Sequence, residues 1–126
     1  MKYLLPFLLG LFACQTEAPK DCLAHKEGLY FFENQQATIY VHRTQDRQYE
    51  YIPNGDTLSV HRVEWVNDCS YRLILLSGDS ATRAFQGEKT LTVTITEASP
   101  EQYTFVARME DMEGGQIKGQ LQRKTP

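Results

Sequence analysis

The chain has 126 residues, 41% hydrophobic and 23% charged, the balance of one globular domain with a real core rather than of a disordered segment. Its formal net charge is -3, and the basic residues are scattered, so no stripe exists to neutralise phosphates and nucleic acid is excluded as an expected partner. A chain this short has no room for a second, catalytic domain.

Residues 1–13 predict a signal peptide. Lys2 supplies the positive start, and Tyr3 to Ala13 form an apolar run shorter than the roughly 20 residues that span a bilayer. The end of that run, Leu11-Phe12-Ala13-Cys14, resembles the bacterial lipobox, in which the cysteine is acylated after cleavage, with palmitate among the chains. Cys14 is therefore expected to be the lipidation site of an outer-membrane lipoprotein, and residues 14–20, polar and ending in Pro19-Lys20, to be its tether. Residues 21–126 remain as a single β domain.

With Cys14 assigned to lipid, Cys22 and Cys69 are left, and an exported chain meets an oxidising compartment that favours their pairing. Pairings through Cys14 stay open only if the lipobox assignment fails. Two cysteines without ligand-spaced histidines cannot fill a metal site, so no metal or other cofactor is expected.

From Gly28 onward the apolar period is two. Leu29-Tyr30-Phe31-Phe32 is apolar on both faces, and Ala37, Ile39 and Val41 alternate with Thr38, Tyr40 and His42. Arg47, Tyr49 and Tyr51 alternate with Gln48 and Glu50, and Pro53-Asn54-Gly55-Asp56 signals a hairpin. Leu58 and Val60 fall on even positions and Val63 and Trp65 on odd ones, which predicts a β-bulge near His61-Arg62 if all four face the core. Asn67-Asp68 forms a corner bearing Cys69, after which Tyr71, Leu73 and Leu75 face inward, with Ile74 and Leu76 making that strand apolar on both sides. Asp79 or Ser80 can cap a short helix over Ala81 to Phe85. Leu91, Val93 and Ile95 alternate with threonines, Tyr103, Phe105, Ala107 and Met109 follow, and Ile117, Gly119 and Leu121 close the chain. Eight short strands joined mostly by tight turns form an antiparallel meander, since parallel crossovers take a dozen or more residues. Closure into a barrel removes the edges; a β-sandwich is the alternative.

The leader ending near a cysteine, the early cysteine followed by Gly28-Leu29-Tyr30-Phe31, the block Trp65-Val66-Asn67-Asp68-Cys69-Ser70-Tyr71 and the Gly-rich turn before a basic last strand resemble a family of small exported bacterial lipoproteins of lipocalin-like character. Some of that family carry the label DNA topoisomerase IV, which an acidic single domain of this size cannot accommodate. Gly28-Leu29-Tyr30 is also similar to the Gly-x-Trp that opens lipocalin barrels, with Tyr30 in the tryptophan's place. The resemblance implies a barrel-like fold and no catalytic residues.

Gly78-Asp79-Ser80 resembles the nucleophile block of SGNH-type esterases, but His25, His42 and His61 all precede Ser80, whereas that chemistry places its general base near the C-terminus. No enzymatic activity is expected. The three histidines lack ligand spacing and are expected to be structural or on the surface, His42 on a solvated strand face and His61 at the bulge. Tyr49, Tyr51, Trp65, Tyr71, Tyr103 and Phe105 would converge inside a closed sheet, and Arg47 and Arg123 share their parity. Arg47, Tyr49, Tyr51, Tyr103 and Arg123 are thus the candidate ligand-binding residues, suited to a small apolar or anionic amphipathic ligand. The alternative is an accessory lipoprotein with a filled barrel whose outer surface contacts a protein partner.

Overall fold

The computed structural model describes residues 21–111 and 115–125; the leader, Cys14 and the tether lie outside them. Eight antiparallel strands form a closed meander barrel: β1 (Gly28–Glu33), β2 (Thr38–Arg43), β3 (Arg47–Tyr51), β4 (Thr57–Asn67), β5 (Ser70–Gly78), β6 (Leu91–Ser99), β7 (Gln102–Met109) and β8 (Ile117–Arg123). Closure settles the choice between barrel and sandwich. A 3-10 turn, Cys22–His25, precedes β1, and one short helix, α1 (Ser80–Phe85), joins β5 to β6.

The turns form where their residues allow. Gly55 N donates to Ile52 O at 2.8 Å around Pro53-Asn54, with Asn54 at φ 61, the positive φ that asparagine tolerates at the third position of such a turn. At the next corner Cys69 N donates to Asn67 Oδ1 at 2.9 Å. Asp79 caps α1 by accepting from Thr82 N at 2.9 Å, as the sequence predicts, and this bond to the backbone holds its carboxyl below the usual range.

The barrel's two ends differ. Cys22 is bonded to Cys69, which draws the 3-10 turn to the corner between β4 and β5. The same end receives the start of β1 and the end of β8, paired as Tyr30 with Arg123. Gly28 adopts φ +150, and a Cβ there would collide with the Arg123 guanidinium, so glycine lets Arg123 lie over the Tyr30 ring, 5.0 Å from its centroid. At the opposite end α1 borders the mouth.

Two sequence-based expectations about parity change here. In β3, Gln48 is buried while Arg47, Tyr49 and Tyr51 lie on the outer face, where Tyr51 packs against Tyr40 at 5.7 Å and Tyr49 against His42 at 6.1 Å. Cross-strand aromatic pairs stabilise an outer sheet face, so aromatic residues at alternate positions did not mark the core. In β4, Ser59, His61 and Val63 are buried in unbroken alternation, and Leu58 and Val60 are only half-buried. No bulge in β4 reverses the parity at His61-Arg62. The β4 to β5 ladder does shift between Val60 and His61, but the residue it leaves over is Leu76, on β5. That extra residue accounts for the exposure of Leu76, at 46%.

Candidate functional site

A charged residue, Arg43, organises the barrel interior. At the end of β2, on the same side as buried Val41, its side chain is 1% exposed. A guanidinium out of water needs donors matched on every side. Nε donates to Gln48 Oε1 at 2.9 Å, Nη1 to His25 O at 2.8 Å, and Nη2 to Tyr71 Oη at 3.0 Å and Tyr103 Oη at 2.6 Å. The two phenols are 2.8 Å apart, and the guanidinium carbon lies 4.6 Å from the Tyr71 ring centre and 5.3 Å from that of Tyr30, within cation–π range. Burial by itself would lower the Arg43 pKa, but the phenols, Tyr103 first, reverse the net shift upward, so the cation persists. Burial lifts the Tyr71 hydroxyl well above the usual phenol range.

No carboxylate touches Arg43 among the described residues; its charge is relayed. Gln48 receives Arg43 on Oε1 and donates from Nε2 to Glu50 Oε2 at 3.0 Å. Strand pairing dictates this order, because Arg43 faces Gln48, Gln48 faces His61 and Glu50 faces Ser59. A polar ladder thus runs across the inner faces of β2, β3 and β4, from the sealed end toward the mouth.

The sealed end is a second, joined network. His25 is fully buried; its Nε2 is 2.6 Å from Ser99 O, and its Nδ1 is 2.9 Å from Tyr30 Oη and 3.1 Å from Arg123 Nη2. A carbonyl only accepts, so Nε2 carries the proton and Nδ1 accepts. Arg123 also donates to Ala24 O, Glu27 O and Pro100 O. Burial raises the Tyr30 pKa to about 12. Burial also lowers that of His25 below 6.5, with the neighbouring arginines adding to the shift. Between that lowered value and an unfolded value of about 6.5, the unfolded chain binds the extra proton. Stability from this group is full above the unfolded value, falls as pH drops toward the folded one and then levels off. Urea midpoints should decline from pH 7.5 to 5 in the native chain and decline less in His25→Gln. Equal slopes in both would remove His25 as the cause.

The mouth beside α1 holds a pocket of about 300 Å³, lined by Glu50, Ser59, His61, Leu73, Gln86 and Leu91, with Ala81, Thr82 and Phe85 of α1 along its rim. Ser59, His61 and Gln86 are 2%, 4% and 3% exposed. Gln86 donates from Nε2 to Leu73 O and Lys89 O, both at 2.9 Å, which turns its Oε1 to His61 Nε2 at 2.8 Å. Oε1 accepts, so His61 Nε2 bears a proton, and in the neutral ring Nδ1 is then the lone-pair nitrogen. Ser59 Oγ, His61 Nδ1 and Trp65 Nε1 are the buried side-chain polar atoms without a protein partner among the described residues. Two of these three belong to this pocket.

Of the sequence-predicted ligand residues, Tyr103 lies inside but is bonded to Arg43, Arg123 is engaged across the sealed end, and Arg47, Tyr49 and Tyr51 face outward. They do not converge on one site. The aromatic interior holds the Arg43 side chain. Arg43, Glu50, Ser59 and Gln86 are not among the sequence-predicted site residues, and His61, expected to be structural or on the surface, is buried and bonded to Gln86. The signal for Arg43 was its phase, a charge in step with Val41 where an apolar residue is expected. Ser80 opens α1 with Asp79 already committed to Thr82. Among the described residues no group of three His, Cys, Asp or Glu is placed to hold a metal ion.

Compared with known protein families, with curated proteins and with solved structures, the chain matches none.

Proposed function

We propose that the protein is an exported, lipid-tethered, non-enzymatic binding module that takes a small ligand at the mouth of its barrel beside α1. One observation carries the site: two residues that line the pocket, Ser59 and His61, each hold a buried side-chain polar atom, Oγ and Nδ1, with no protein partner among the described residues. An unsatisfied buried hydroxyl costs about 1–3 kcal/mol, and folding alone gives no return for it. A ligand that bonds to both atoms does. The signal peptide and Cys14 support export and a lipid anchor, and the Cys22–Cys69 bond accords with an oxidising compartment. The accessory reading draws on one observation, that the sealed half of the barrel is filled by Arg43 and its tyrosines.

The two readings separate at Ser59. For a ligand site, Ser59→Ala should leave stability unchanged or raise the thermal midpoint, because it removes an unsatisfied group, while weakening capture of small molecules in a thermal-shift screen. A lowered midpoint with an unchanged screen would favour a packed accessory barrel. Mass spectrometry of the mature N-terminus tests the anchor, with acylated Cys14 expected and an unprocessed leader contradicting it.

A further inference from the structure

Resting on that mouth site, we infer that its ligand is a small organic ammonium ion with a short apolar arm. The polar groups there are acceptors. Gln86 makes His61 Nε2 the donor, so in the neutral imidazole Nδ1 is the acceptor, and Ser59 Oγ can accept or donate. Glu50, directly opposite Ser59 in the ladder, lends a carboxylate with one oxygen occupied by Gln48; its other oxygen takes no bond among the described residues. A lone pair, a hydroxyl and a carboxylate on residues that line one pocket match the N–H bonds of an ammonium group, and its charge makes the bond to the carboxylate the strong one.

The charges around the pocket point the same way. Among the described residues that line it, Glu50 is the one carboxylate, and no lysine or arginine joins it. Arg43, the buried cation of the ladder, is separated from the pocket by Gln48 and already donates to four acceptors. A carboxylate ligand would therefore meet Glu50 with no cation to offset the repulsion. Leu73 and Leu91 supply the apolar wall. The pocket, about 300 Å³ and open to solvent, is at the small end of ligand pockets and suits an arm of a few carbons or one ring.

Three probes of one shape test the inference by calorimetry on the folded chain at neutral pH: benzylamine as its cation, benzyl alcohol and benzoate. Benzylamine should bind with a stoichiometry of one, at least tenfold more tightly than the alcohol, with benzoate weakest. Glu50→Gln should reduce benzylamine affinity by tenfold or more and leave the alcohol within about threefold. Should that variant fail to fold, the ranking of the three probes on the native chain still decides. Benzoate or the alcohol binding as tightly as benzylamine, lost in Ser59→Ala, would overturn the ammonium assignment while keeping the pocket. Failure of all three to bind would overturn the pocket itself.

Discussion

Replacing Arg43 by methionine is expected to destabilise the barrel by about 3 kcal/mol or more. The substitution keeps much of the apolar stem but removes every donor from a site that is 1% exposed. Gln48 Oε1 and His25 O lose their Arg43 bonds in the interior, each at a cost of roughly 1–3 kcal/mol, while Tyr71 and Tyr103 retain each other at 2.8 Å. Arg43→Lys should be nearly as damaging, because one ammonium group cannot reproduce a planar fork that reaches Gln48, His25 and two phenols at once. For a domain of this size each kcal/mol shifts the thermal midpoint by roughly 4–8 °C, so the loss is large in a melt. Trp65 reports it, since its ring packs 4.7 Å from that of Tyr71. A methionine variant within about 1 kcal/mol of the native chain would mean that the network adapts without its cation.

Removing the disulfide is the other large effect. The bond closes a separation of 47 residues between Cys22 and Cys69, which in the chain-entropy view stabilises the fold by about 4 kcal/mol. That is a large share of the 5–15 kcal/mol typical of a whole domain. The local consequence falls on the seal, because His25 closes the 3-10 turn that begins at Cys22 and gives its carbonyl to Arg43. Cys22→Ser with Cys69→Ser, or reductant on the native chain, should lower the urea midpoint by similar amounts. Hydrogen exchange should quicken first around the 3-10 turn and the β1 to β8 seam. A doubly substituted chain as stable as the oxidised one would show that the arginines and His25 hold that end unaided.

The strands were legible because their signals are local: period-two runs, Asn-Gly and Asn-Asp turns, and an aspartate ahead of a helix-forming stretch; the choice of barrel over sandwich rests on the long-range pairing of β1 with β8, which no local signal carries. The disulfide was legible from counting cysteines in a chain expected to be exported. What could not be read was which face of β3 and β4 points inward. That choice normally follows apolar residues, as it does at Val63, but over β3 and the first part of β4 the inner face is polar, with Gln48, Glu50, Ser59 and His61 completing the ladder that begins at Arg43. Tyr49 and Tyr51 occupy the outer face because Tyr40 and His42 on the neighbouring strand give them partners. Such a preference exists only between strands and leaves no mark within either one. The candidate ligand residues of β3 share that parity: Arg47, Tyr49 and Tyr51 lie on the outer face, whereas the mouth pocket is lined by Glu50 and by Ser59 and His61, each with a buried unpartnered atom.

The most direct test of the mouth as the binding site is a titration of the isotope-labelled domain with benzylamine, followed by nuclear magnetic resonance. Shifts should concentrate on Glu50, Ser59, His61 and Gln86, the imidazole signals of His61 moving most and those of His25 at the sealed end staying fixed. Shifts confined to the outer faces or the β1 to β8 seam, with His61 unmoved, would place binding elsewhere and contradict the site.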